Sequence, residues 1–260
     1  MRIAVALWRI MPMICILISS NHVVYSQSIN ENRYALVIGN SHYQDLSALS
    51  FPEENTNFIK KALEELNFNV NCLEDSDLSS MKNSFSLLES KLRENSNSVG
   101  LFFFSGYAVQ MDVDGTFLLA SDSKITYERS QIKKDLLSLY EIIDAVKDEN
   151  NTIMIIIIDS EWISQIPWAP KRIEGFWEPW RLPKNMLLAF GKKQSDMPYM
   201  PNKTKSIFTE MLLKNLSLSN LDISEILIKT QKDVIKATDG SQTPIVRSTI
   251  CRPLYLKFDN

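Results

Sequence analysis

Three stretches of this chain are apolar without alternation: YALVIG (34–39), VGLFFF (99–104) and IMIIII (153–158). A strand with one face in water alternates apolar and polar residues, whereas a strand covered by helices on both faces has no need to. The pattern therefore asks for the interior of a parallel sheet. Helical periodicity fills the gaps. Pro52 to Leu66 carries Phe58, Ala62, Leu63 and Leu66 on one face, and Asp77 to Leu92 carries Met81, Phe85, Leu88 and Leu92. NFNVNCL (67–73) reads as a strand between them, and Lys134 to Lys147 as a helix leading into the third run. Downstream, NMLLAF (185–190) is a further strand and Ser206 to Leu216 a helix. Asp222 with Glu225 three residues later has the form of a capping box, and RPLYLKF (252–258) reads as a closing strand. The expectation is an α/β protein, a three-layer αβα sandwich with a mostly parallel six-stranded sheet.

In such sheets ligands bind beyond the carboxyl ends of the strands. Two tips stand out: Ser105-Gly106-Tyr107 after LFFF, and Asp159-Ser160-Glu161 after IIII.

The amino terminus has a different character. Arg2 and Arg9 precede an apolar segment from Ile10 to Ile18, and Val24-Tyr25-Ser26 stands before Gln27. This is the form of a secretory signal peptide over 1–26, with 27–32 as a short linker and one domain over 33–260. The apolar segment is shorter than the roughly 20 residues a spanning helix needs. Removing residues 1–26 takes two arginines and no acid, which leaves 26 basic residues against 31 acidic ones and no basic run. That balance points away from nucleic acid. Of the three cysteines, Cys72 and Cys251 lie in the mature chain, too few for a disulfide scaffold, and whether they pair is left open.

The sequences RYALVIGNSHY (33–43), NFNVNCLEDSD (67–77), LFFFSGYAVQMDVDGTFLLASD (101–122), IIIIDSEW (155–162), NMLLAF (185–190) and ATDGSQTPIV (237–246) resemble, in that order, landmarks of metacaspase-related caspase-like peptidases. The resemblance runs from about Arg33 to Phe258 and implies a caspase-haemoglobinase fold. Active members are cysteine endopeptidases with a Gly-His-Gly turn after the third strand and an Asp-x-Cys segment after the fourth. Here those places read Gly106-Tyr107-Ala108 and Asp159-Ser160-Glu161. Tyr107 stands for the base and Glu161 for the nucleophile, while the backbones of Ala108 and Glu161 stand where the resemblance puts the oxyanion-binding groups.

The chemistry follows from those substitutions. A cysteine peptidase needs a thiolate to attack and an imidazole to protonate the leaving amine. A carboxylate does not replace the first, and a phenol with an ordinary pKa near 10 is a poor base at neutral pH. The expectation is a secreted or periplasmic caspase-like pseudopeptidase that binds or regulates a protein or peptide partner. The alternative is a cysteine endopeptidase with Arg/Lys preference and a rearranged dyad, for which His42 with Cys72 is the candidate pair. Ser105 and Ser160 have no base beside them in sequence.

The resemblance also implies a pocket for a basic side chain, with Asp159 retained, Asn55 in place of a second acid, and Glu54 adjacent. Either that pocket still accepts a Lys or Arg through charge-assisted hydrogen bonds, or Glu161 accepts a hydrogen bond from the Tyr107 hydroxyl and closes the cleft. Trp162, Trp168, Trp177 and Trp180 crowd a Pro-broken loop that either contacts a ligand or pins itself to the domain. DVDG (112–115) lacks the later ligands of a calcium loop and reads as a hairpin turn. No cofactor, metal or, once the signal is removed, membrane is expected.

Overall fold

The three apolar runs form the centre of one sheet. The computed structural model describes residues 31–111, 115–124, 133–147, 152–163, 181–193, 196 and 204–259. The expected signal peptide thus lies outside the described residues. Strand β1 (Arg33–Gly39) pairs in parallel with β2 (Asn69–Glu74) on one side and with β3 (Val99–Met111) on the other. Next come β6 (Ile153–Trp162) and β7 (Met186–Phe190), also parallel, and then β8 (Ile245–Ser248), antiparallel at the edge. The order is β2-β1-β3-β6-β7-β8.

Helices cover both faces, as unbroken apolar strands require. Helices α1 (Pro52–Glu65), α4 (Ile207–Leu216) and α5 (Ile223–Ala237) lie on one face, over Val37, Phe103 and Ile155. Helices α2 (Leu78–Glu94) and α3 (Leu139–Ala145) lie on the other, over Ile38, Phe104 and Ile158. Along β6 the odd residues face the first cluster and the even ones the second, the two-residue period of a strand. At Gly39 the α1 amino terminus presses so close that a Cβ would lie 1.9 Å from Thr56 Oγ1. Asp222 and Glu225 form the expected reciprocal cap of α5: Asp222 Oδ1 accepts from Ser224 N at 2.8 Å, and Glu225 Oε2 accepts from Asp222 N at 3.0 Å.

Four expectations need correction. The sheet has eight strands, because β3 runs on to Met111 and folds back as β4 (Gly115–Leu119), which pairs with β5 (Leu136–Ser138). Met111 opposes Gly115, so the DVDG stretch does connect a hairpin, although 112–114 fall outside the described residues. The expected helix from Lys134 is thereby split into β5 and the short α3, whose start is capped by the Ser138 hydroxyl. The last strand is Ile245–Ser248, not 252–258, where the pairing is a single bridge from Tyr255 to Asp222. Pro253 has no N–H to give a ladder, and the carbonyls of Tyr255 and Leu256 are taken by the Arg33 guanidinium at 3.1 and 2.9 Å. Finally, the inward face of α1 is Ile59 and Leu63, while Phe58 is 40% exposed with Lys205 Nζ 4.2 Å above its ring.

Candidate functional site

Strands β3 and β6 run side by side to their tips, with Ser105 opposite Asp159 and Tyr107 opposite Glu161. Period-two alternation puts all four on the α1/α4 face. The two positions singled out by sequence are therefore brought together, one step beyond a buried layer.

That layer belongs to Asp159, which is fully buried. Its Oδ2 accepts hydrogen bonds from Asn55 Nδ2 at 3.1 Å, Thr209 Oγ1 at 2.7 Å and the Ser206 hydroxyl. Asn55 also donates to Ser105 Oγ at 3.1 Å and accepts from Ser206 N at 3.1 Å. Ser206 caps α4 through Thr209 N at 2.9 Å. Asp159 thus ties the first turns of α1 and α4 to the sheet, and a buried carboxylate among so many donors is held by them. Gly191 closes the remaining side, since a Cβ there would lie 2.6 Å from Asp159 Oδ1. Of the two residues expected beside it, Asn55 is in the network and Glu54 points to solvent.

Above this layer, Glu161 Oε2 accepts from Lys192 Nζ at 2.6 Å, with side-chain exposures of 15% and 2%. Burial pushes the Lys192 ammonium below its ordinary pKa, and Glu161 pulls in the opposite direction. Lys192 was not among the residues expected here. It follows β7 in AFGKK, which reads as an ordinary solvated turn; the signal was Gly191, whose lack of a side chain lets the chain cross the β6 tip. The strong partner of Glu161 is therefore Lys192, where sequence pointed to Tyr107. The Tyr107 hydroxyl is pushed up in pKa by partial burial and by Glu161. Its backbone N–H donates to Tyr43 Oη at 2.9 Å, and the two rings meet edge to face at 5.0 Å.

Ala108 is wholly buried, paired with Leu118 on one side and Trp162 on the other, and its carbonyl accepts from Ile163 N at 2.9 Å. Trp162 stacks on Phe190 at 5.9 Å and donates its indole N–H to Lys192 O at 3.2 Å. Trp168, Trp177 and Trp180 lie outside the described residues.

Among the described residues, the candidates for the alternative dyad have other partners. Cys72 packs against the α1-side core, where burial and Glu74 raise its thiol pKa, the wrong direction for a nucleophile. His42 Nδ1 is 2.7 Å from Asp75 Oδ2, with the imidazole 71% exposed. Cys251 is free and exposed. Ser105 donates to the Asp159 carbonyl at 3.2 Å, and Ser160 Oγ is buried with no hydrogen-bond partner among the described residues. No helix among the described residues is long and apolar enough to cross a membrane.

A family model described as a caspase domain of the peptidase C14 type matches residues 32–255. No curated protein matches the chain.

Proposed function

The chain belongs to the caspase-domain family, and from that premise we propose that this member is a pseudopeptidase, secreted or periplasmic, that works as a non-catalytic binding or regulatory module for a protein or peptide partner. One observation carries the reading. At the strand tips where the family's chemistry resides, the side chains are a phenol and a carboxylate, and the carboxylate is locked to the buried Lys192. Hydrolysis of a peptide bond needs an attacking group and a proton donor within hydrogen-bond reach. Glu161 holds its charge on an ammonium, and Tyr107 keeps its proton more firmly than an ordinary tyrosine.

The test is turnover. The mature protein, given fluorogenic peptides ending in Arg, Lys or Asp, should release no more fluorophore than buffer, with or without calcium and reductant. Hydrolysis that disappears on Cys72→Ala or on alkylation of the thiols would overturn the reading. It would establish instead the endopeptidase with a relocated dyad.

A further inference from the structure

The outermost strand of the sheet is unguarded. Among the described residues β2 pairs with β1 alone. Asp75 N donates to Gly39 O at 2.9 Å, so the odd residues of β2 turn their N–H and C=O groups toward β1, and alternation turns those of Val70, Cys72 and Glu74 outward. Edge strands that must avoid partners carry a lysine, a proline or a bulge in mid-strand. From Asn69 to Leu73 every residue is neutral, none is proline, and the register with β1 runs one to one. Beside this edge, between β2 and α2, a cavity of about 80 Å³ opens to solvent, lined by residues that include Tyr34, Asn69, Asn71, Leu87, Leu88 and Lys91. It is roughly five times the space one water needs, enough for an aliphatic side chain. Leu87 lies off the buried face of α2 and is 53% exposed, so the fold gives it no core to fill. Lys91 is the one charged residue among the described residues lining the cavity, and its ion pair with Glu94 is loose and exposed, at 3.6 Å.

A hollow beside an unpaired edge is the arrangement by which a sheet takes up an extended peptide: the backbone gives affinity and the hollow selects a side chain. Leu87 and Lys91 are one helical turn apart, about 6 Å, which matches the roughly 6.6 Å between residues i and i+2 of a strand. We propose that the β2 edge docks an extended segment of a partner protein, which adds to the sheet as a further strand, seats an aliphatic side chain beside Leu87 and sets a carboxylate two residues away against Lys91. A second copy of this chain is the poorer match, because its own β2 shows Asn69, Asn71 and Leu73 on that face and brings Lys91 no carboxylate. This names a surface and a chemical class for the partner of the binding-module reading, and the two fail separately. Turnover overturns the reading of the strand tips and leaves the edge untouched, whereas the peptide titration below overturns this proposal alone.

The test uses the mature chain and two fluorescein-labelled hexapeptides of threonine, one with Leu-Thr-Glu at its centre and one with Glu-Thr-Leu, since either strand direction can pair. One of them should bind, by fluorescence anisotropy, with a Kd below about 1 mM. Leu87→Glu, a change at an exposed position, should weaken that binding at least about tenfold. Lys91→Glu should reverse the charge preference, so that the same peptide with lysine in place of glutamate becomes the tighter ligand. Methylating the backbone nitrogens of alternate peptide residues should abolish binding in one phase of the alternation and spare it in the other, as an added strand requires. No binding of either peptide at about 1 mM, or binding that survives Leu87→Glu or both methylation patterns, overturns the proposal. A dimer of the free chain, seen by light scattering and broken by Leu87→Glu, gives the edge to a second copy and overturns it too.

Discussion

Single residues at the tip divide by what each would leave behind if removed. Lys192→Met strands the Glu161 carboxylate and should cost roughly 3–5 kcal/mol, whereas Glu161→Leu/Lys192→Met together should recover most of it, because a packed apolar pair replaces the ion pair without orphaning either charge. Chemical denaturation of the two variants measures the difference. Asp159→Ala orphans the donors of Asn55, Ser206 and Thr209 at once and should cost about 3 kcal/mol or more. Asp75 gives the pH dependence a sign. Burial alone raises its carboxyl, but the hydrogen bonds from His42 and Ser41 outweigh it and hold the group below its ordinary 3.8. Its contribution is thus complete above that ordinary value and is lost as pH falls through the lowered one. With the side chain 40% exposed, screening limits the contribution to roughly 0.5 kcal/mol. Asp75→Asn should flatten the acid limb of the stability curve by that amount. Tyr107 and Glu161 were legible in sequence because unbroken apolar runs mark the strand tips that carry them, and the resemblance assigns those tips their roles. Lys192 was not, since burial of a lysine after a strand depends on which neighbouring tip it crosses.

At the scale of elements, strand interiors were readable and their ends were not. β1, β3 and β6 announce themselves by continuous apolar residues, and the inward face of α2 is the four residues its periodicity gives. The errors fall where tertiary pairing overrides local pattern. Leu254 and Leu256 alternate like a strand and are indeed buried, yet Arg33 takes the carbonyls of Tyr255 and Leu256 and the backbone around the start of α5 takes those of Leu254 and Lys257, so among the described residues no neighbouring strand pairs with the segment. Leu136 and Leu137 fit a helix until β4 offers them a ladder. Elsewhere the junction of α1 with β1 depends on one missing atom. Gly39→Ala drives a methyl into Thr56 and should cost about 1–3 kcal/mol. Thr56→Ala should relieve part of that penalty, a coupling that a double-mutant cycle would read.

For the whole molecule, the export proposal fixes one observable: protein recovered outside the cytoplasm should begin at Gln27, and intact mass with amino-terminal sequencing checks it. Recovery there of a chain still carrying residues 1–26 would count against cleavage. The clasp at the opposite end of the sheet from the tips bears on how such a chain acquires its shape. Arg33 holds the carbonyl of Leu256, 223 positions later, and Arg252 pairs with Glu31 at 2.9 Å. Contacts so distant in sequence are costly to form early. During synthesis β1 leaves the ribosome long before its partners at 252–256 exist, so this end of the sheet stays open until translation has passed them. A nascent chain must wait unsealed, which would leave a translocation machinery a substrate it can still thread.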